Sequence, residues 1–491
     1  MSSSTGAPEL QNTWADSLPG MFEPWVADEI SEPTALVVNG DLARELGINT
    51  DWLNSPIGTQ FLVGNHVLPG MTPIAQAYAG HQFGGYSPLL GDGRALLLGE
   101  LVTTSEHRYD IHLKGSGRTR FSRGGDGKAA VGPMLREYII GEAMHALGIP
   151  TSRALGVVAT NQKVRREEML PGGVLCRVAS SHIRVGSFQY AASQSVDHVK
   201  RLLDYSIMRH FSHLQGSSNS ALEFLDEVIN RQASLVAKWM HVGFIHGVMN
   251  TDNMAISGET IDYGPCAFMD TYNSATVFSS IDHQGRYAYG RQPYIAQWNL
   301  ARLAESLLPL IDSDTDTAVT RATDLLQEFP LRFEAAWNAG MKAKLGLNPD
   351  TVTEPDFFHR LLACFESEKV DYTNTMRSLS SVARSGSTEL VPALAPGPDF
   401  LSWSAEWLAL IDKSGRDRHE IATQMDSCNP AYIPRNHIVE MALAAGSNGD
   451  LQPMSELVAL LKDPFSKRDE MDYYTNPMPE DWEGYQTFCG T

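Results

Sequence analysis

The sequence predicts an α+β fold in which a strand-rich first part, residues 1–190, precedes a helical remainder. Three observations carry that expectation. Leu-rich or alternating runs recur between residues 95 and 179, bounded by Gly-containing turns, and read as strands of a small sheet. From His198 onward the composition turns helical, with Leu222, Leu225, Val228, Ile229, Leu235, Val236 and Trp239 supporting one long helix. That helix delivers the chain into residues 243–264, GFIHGVMNTDNMAISGETIDYG, around which the rest is organised.

In that stretch His246 and Asn253 stand seven residues apart, and Asp262-Tyr263-Gly264 follows. The layout resembles the H-R-D-x-x-x-x-N catalytic loop and D-F-G turn of protein kinases. It implies a protein-kinase-like two-lobe fold with an N-terminal extension and extra C-terminal helices. The expected division is 1–190 for the extension and first lobe, 191–345 for the second lobe, and 346–491 for a helical region and tail. One position departs from the kinase pattern. Val248 stands where a kinase has its catalytic aspartate, and a valine accepts no proton. An additional carboxylate, Asp252, sits beside Asn253. His246 reads as a structural histidine that bonds backbone carbonyls.

Composition bounds the rest. A chain of 491 residues, 43% apolar and 20% charged, is long enough for two or three domains with a large core. A net charge of −20 argues against partnership with nucleic acid or an anionic membrane. The five cysteines form no C-x-x-C pair, which suits a reducing compartment and gives no zinc framework. His210-x-x-His213 reads as a helix-surface pair rather than a metal site. No signal sequence is seen, nor an apolar run of the roughly 18–20 residues that span a bilayer. The expectation is a soluble, cytoplasmic protein; no feature fixes an oligomeric state, and a monomer is favoured.

Taken in order, residues 1–70 read as an extension packed on the first lobe. Gly91-Asp92-Gly93-Arg94 is a turn before a Leu-rich strand; its glycines admit a ligand closely and its arginine can reach a phosphate. A plain hairpin turn with a solvated arginine is the alternative. Residues 109–114 read as a strand ending in Lys114. The loop GSGRTRFSRGGDGKAAVG follows, rich in glycine and in the cations Arg118, Arg120, Arg123 and Lys128. It lacks the Walker A hydroxyl and the third Rossmann glycine. It suits polyphosphate, or else it is a solvated loop. Residues 134–147 read as a helix started by Pro133, with Leu135, Ile139, Ala143 and Leu147 on one face and Gly148-Ile149-Pro150 stopping it. On it lies Glu137, the natural partner for Lys114. Residues 154–160 and 173–179 complete the sheet, the second carrying Arg177, with Arg184 seven residues on. Helices are expected at 221–240, 298–310, 318–329, 357–366, 405–410 and 454–461, with loops at 348–356 and 392–398.

Asn253 and Asp262 offer the hard oxygen ligands that Mg²⁺ or Mn²⁺ takes. Asp252 reaches the same cavity and is a candidate general base, or else a helix cap. Arg177, Arg184 and the basic loop exceed what a β,γ-phosphate clamp requires. A pocket holding the terminal phosphates deeply leaves the α-phosphate facing the acceptor, and attack there transfers AMP.

Four segments, YAGHQFG (78–84), LGDGRA (90–95), LKGSGRTRFSRGGDGKA (113–129) and HGVMNTDNM running on to DYGP (246–265), are similar to the selenoprotein O family of protein adenylyltransferases. The resemblance implies transfer of AMP from ATP to Ser, Thr or Tyr hydroxyls of protein substrates, with the nucleotide flipped relative to kinases and pyrophosphate released. It implies Asp252 as proton acceptor and Asn253 and Asp262 as metal ligands. Gly91, Gly93, Arg94, Lys114, Asp126, Gly127, Arg177 and Arg184 would contact the nucleotide, with Glu137 ordering Lys114. UMP transfer with Mn²⁺, an ordinary phosphotransferase and a catalytically silent ATP-binding scaffold remain as alternatives. Two features depart from the family: members with selenocysteine carry a redox-active residue near the C-terminus, where this chain has a lone Cys489, and some bacterial members have a cysteine in the segment after D-Y-G, where Phe278-Ser279-Ser280 offers none and Cys266 follows Pro265. The sequence leaves open whether Cys266 and Cys489 form a regulatory disulfide.

Overall fold

Nine strands pair into one twisted sheet in the computed structural model, which describes residues 6–391, 397–479, 482 and 484–488. The path runs β2 (Phe22–Pro24), β4 (Ile74–Gln76), β7 (Ala95–Val102), β8 (Arg108–Lys114), β11 (Met169–Ala179), β10 (Arg153–Arg165) and β3 (Thr34–Val38). Off that path β1 (Leu10–Gln11) pairs with β7, and β9 (Ala129–Ala130) pairs with β11. The pairings are antiparallel. Residues 1–70 therefore do more than pack on the sheet: β1, β2 and β3 are part of it. Four short helices, α1 (Thr13–Ser17), α2 (Gly40–Glu45), α3 (Thr50–Leu53) and α4 (Pro56–Leu62), lie among these strands. A separate hairpin, β5 (Gly80–Gln82) and β6 (Gly85–Ser87), precedes β7.

The helix after the Gly-rich loop, α5 (Val131–Ala146), is buried nearly all round. A one-sided apolar stripe undercounts it, because two surfaces cover it. Leu175 and Val157 of the sheet pack on it, and so do Val439, Leu443, Leu457 and Val458. Those four belong to α15 (Asn436–Ser447) and α16 (Gln452–Leu461) near the other end of the chain. A helix covered on both sides needs no polar face. Arg136 donates to Glu440 at 2.9 Å and to the Cys266 carbonyl at 2.6 Å, so α5 is tied to the segment after Asp262.

The helical remainder comprises α6 (Val185–Gln194), α7 (Val196–His210), α8 (Ser220–His241), α9 (Gln292–Ile311), α10 (Thr315–Lys344), α11 (Phe357–Ser367), α12 (Tyr372–Ser385), α13 (Pro398–Lys413) and α14 (Arg418–Cys428), before α15 and α16. One expected end is corrected: the helix expected at 318–329 does not stop at Pro330 but runs on to Lys344. Phe329, Trp337 and Met341 bury one stripe of it on both sides of the proline, and that packing outweighs the lost hydrogen bond. The loop expected at 392–398 lies largely outside the described residues. His210 bonds Ser181 and His213 bonds Glu227, so the H-x-x-H pair holds no shared site. Among the described residues no helix is long and apolar enough to cross a membrane.

Candidate active site

α8 ends at His241, and the chain enters the loop through β12 (Phe244–Ile245), which pairs with β13 (Ala267–Phe268). This short ladder brings the two ends of residues 244–268 together, so Asn253 and Asp262 lie on one loop closed at its base. Trp239 Nε1 donates to Thr260 Oγ1 at 2.9 Å, Gln292 Oε1 accepts from the His246 N–H at 3.0 Å, and Asn299 donates to the Met249 carbonyl at 2.9 Å. His246 Nε2 lies 2.9 Å from the Ile261 carbonyl, the structural role its position suggested.

A cavity of about 430 Å³ opens against this loop. Of the residues expected in the site, Gly93, Arg94, Lys114, Glu137, Arg177, Arg184, Asp252, Asn253 and Asp262 line it. They come from the turn before β7, the end of β8, α5, β11, the start of α6 and the loop between β12 and β13. Gly91, Asp126 and Gly127 are not among its lining. Gly91 packs over the Phe121 ring, Asp126 pairs with Arg166 at 2.9 Å, and Gly127 lies against the Gly117 backbone. Asp126 and Gly127 belong to the Gly-rich loop, and Gly91 to the turn before β7.

Lys114 is bonded to Glu137 and also reaches Asp262 Oδ1 at 2.6 Å. Arg177 Nη1 donates to the same oxygen at 2.8 Å, and Arg184 Nη1 stands 3.9 Å from Oδ2. Burial disfavours the Asp262 charge, yet Lys114, Arg177 and Arg184 together hold this carboxyl well below its usual range. Asp262 also sits at φ 64°, left-handed backbone that is uncommon outside glycine. Such strain concentrates at functional sites.

Behind Arg177 runs a buried chain that composition did not reveal. Arg177 Nε donates to His112 Nδ1 at 3.2 Å, and His112 Nε2 donates to Asp92 at 3.1 Å. Burial keeps His112 neutral against the pull of Asp92, and that neutral ring is the tautomer the two bonds require. Asp92, the third-named residue of LGDGRA, is thereby tied through β8 to an arginine two strands away from β7 in the sheet.

The loop carboxylate Asp252 has the opposite electrostatics. Burial, opposed by Arg184, pushes its pKa up to about 6. Its Oδ2 accepts from Gln82 at 3.3 Å, while Oδ1 is buried with no hydrogen-bond partner among the described residues. Arg184 Nη2 is likewise buried and unpartnered, although Nη1 donates to the Asp252 carbonyl at 3.0 Å and the guanidinium lies 4.3 Å over the Tyr78 ring. A buried acceptor and a buried cationic donor left unsatisfied in one cavity point to a polar ligand there.

The β5–β6 hairpin roofs this loop. Phe83 N–H donates to Asn250 Oδ1 at 3.1 Å, and His81 N–H donates to Thr251 Oγ1 at 2.7 Å. Phe83 and Gly84 both have positive φ, as a two-residue I′ turn demands. Tyr78, Gln82 and Phe83 therefore line the cavity, though sequence reasoning gave them no role. Their motif is visible along the chain, but their contact with residues about 170 positions away is not.

Asn253 and Asp262, the pair expected at a metal, offer oxygens of the kind a hard cation takes. Asn253 Nδ2 donates to the Val248 carbonyl at 3.1 Å, which leaves its side-chain oxygen available beside the carboxylate of Asp262. Among the described residues no three His, Cys, Asp or Glu cluster to hold a metal alone. Mg²⁺ characteristically takes one or two protein oxygens and completes its shell with phosphates and water. Cys266 is buried and its thiol pushed up to about 12 by burial; Cys489 lies outside the described residues.

Cations braced by carboxylates beside further oxygen donors are what an enzyme of the nucleotide-handling transferase class needs. The comparisons make the assignment specific. Residues 9–462 match the family model described as protein adenylyltransferase SelO. The chain is 52% identical over 489 residues to the protein nucleotidyltransferase YdiU of Pseudarthrobacter chlorophenolicus, covering 98% of each chain. It is 53% identical over 495 residues to that of Mycolicibacterium smegmatis, with 99% of each covered. It is 50% identical over 485 residues to that of Geobacillus kaustophilus, with 98% of this chain and 99% of the relative covered. The chain belongs to the protein adenylyltransferase SelO family and is a nucleotidyltransferase.

Proposed function

We propose that this enzyme transfers AMP from ATP to a Ser, Thr or Tyr hydroxyl of a protein substrate, within a protein-kinase-like two-lobe arrangement divided near residues 190 and 345. The observation that carries the reading is the division of labour between two carboxylates of one loop. Asp262 is locked in its charged form by three cations, whereas Asp252 is raised toward neutrality and has a free oxygen. Two environments that push two carboxylates apart are the mark of distinct roles.

In this reading Lys114, held by Glu137, joins Arg177, Arg184 and Arg94 around the phosphates. Asn253 and Asp262 hold Mg²⁺ or Mn²⁺, which neutralises phosphate charge when bound. Asp252 takes the proton of the acceptor hydroxyl. The acceptor oxygen forms its bond to the α-phosphorus, the bond from that phosphorus to the bridging oxygen breaks, and pyrophosphate leaves with the electron pair. Val248 offers no base at the kinase position, so attack on the γ-phosphate lacks its usual partner. UMP transfer with Mn²⁺ is the second reading, since the relatives are named for nucleotidyl transfer without a stated base.

Peptide mapping of a generic protein acceptor after incubation with ATP, or with UTP, and either metal tests this. An adenylylated Ser, Thr or Tyr supports the reading. A uridylylated residue with none adenylylated moves it to the second, a phosphorylated residue makes the enzyme a phosphotransferase, and nucleotide binding with no adduct makes it a silent scaffold.

A further inference from the structure

A second cavity, of about 450 Å³, opens where the end of α5 meets α8, α10 and the end of α14. Two lysines enter its wall in a strongly acidic protein, Lys238 from α8 and Lys344 from the last turn of α10, and among the described residues no carboxylate lines it. His241 also enters from α8, its imidazole lowered to about 4 by burial and therefore uncharged. Lys344 is only 4% exposed. Among the described residues its Nζ meets no hydrogen-bond acceptor or carboxylate; the Tyr372 ring lies 5.9 Å away. Lys238 Nζ bonds the Gly148 carbonyl at 3.0 Å and has no counter-ion either. His241 turns its Nε2 to the Trp337 carbonyl at 2.9 Å.

A buried amine without a partner is costly, and folded proteins seldom keep one without a use. Burial alone brings Lys344 down to about 7, with the Cys428 thiol the one group pulling the other way. The volume lies within the roughly 300–1,000 Å³ of small-molecule sites, and it is larger than an inorganic anion needs. Leu147, Ile149 and Phe465 give the rest of the wall an apolar surface.

We propose that this cavity binds a small organic anion, an acid group on a compact apolar body, with Lys344 and Lys238 meeting the acid group. The acid group is a phosphate or a carboxylate. Its charge supplies what the wall lacks, and its apolar body covers Leu147, Ile149 and Phe465. The site is separate from the cavity at Asp252 and shares no lining residue with it.

Phenyl phosphate and benzoate, each titrated into the full-length protein, test the proposal, with potassium chloride at matched ionic strength and benzyl alcohol as controls. Two readouts are taken: the melting temperature, and the rate at which iodoacetamide alkylates Cys428, which lies in the same wall. At least one anion is expected to raise the melting temperature below about 10 mM and to slow Cys428 alkylation about fivefold or more, as occupancy above about 80% requires. Lys344→Met should abolish both effects, while without ligand it melts on the order of 2–4 °C above wild type because a buried unpaired charge is gone. Lys238→Met, at the more open side, should fold normally and raise the half-saturating concentration about tenfold. The acid that acts distinguishes phosphate from carboxylate. A Lys344→Met protein that responds like wild type would overturn the proposal, as would an equal response to benzyl alcohol or no response to either anion.

Discussion

Gly80 stands directly over Asp252: a β-carbon at residue 80 would lie 2.4 Å from Asp252 Oδ1 and 2.6 Å from Leu90 Cδ1. The space a side chain would take is therefore filled by the proposed base, and the YAGHQFG hairpin sets its position from above. Gly80→Ala has to displace the carboxylate. Transfer is expected to fall roughly 10²-fold or more, the scale of a misaligned general base, with ATP affinity changed by no more than about threefold. Steady-state kinetics beside equilibrium nucleotide binding check this. Equal losses in both would instead mean that the whole cavity has shifted.

Asp252 should show opposite signs in rate and in stability. A base works only when ionised, so transfer is expected to rise as pH passes through about 6 and then level off. The folded protein holds this proton more tightly than the unfolded chain does. Its stabilising contribution is present in acid and is lost as pH rises from the ordinary carboxyl value of 3.8 through about 6. Above that, the ionised buried carboxylate costs on the order of 2–3 kcal/mol at most. Asp252→Asn is expected to lose transfer about 10²–10⁴-fold, yet to melt higher than wild type near pH 8, with the difference closing toward about pH 4. Paired denaturation curves at the two pH values decide it; a less stable Asn variant at high pH counts against the burial argument.

Lys114 and Glu137 should behave as a unit. Lys114→Met strands a buried Glu137, and loss of one partner from such a pair costs about 3–5 kcal/mol. Lys114→Met combined with Glu137→Leu should recover most of that stability and none of the ATP affinity. Urea denaturation and nucleotide titration of the three variants separate the two effects. Recovery of affinity in the double variant would remove Lys114 from the phosphate site.

Much of the site was legible because its parts are local. The seven-residue spacing of His246 and Asn253, the Asp262-Tyr263-Gly264 turn and a strand lysine 23 residues before a helix glutamate are read along the chain. What the sequence hid is long-range. No periodicity joins Gln82 to Asp252, or Asp92 through His112 to Arg177, because neither contact follows a helix or strand repeat. The helix α5 looked one-sided for the same reason: α15 and α16, which cover its second face, come about 300 residues later. In the Gly-rich loop, Asp126 pairs with Arg166, which arrives on the turn between β10 and β11, another contact that no local pattern announces.

The central claim is attack at the α-phosphate, and ATP labelled at either the α- or the γ-position tests it most directly. Wild type, Asp252→Asn and Asp262→Asn are incubated with each label, a protein acceptor and Mg²⁺ or Mn²⁺. Label is expected to enter protein from the α-position alone, with pyrophosphate released in equal amount, and to be lost in both variants. Label entering from the γ-position would contradict the account.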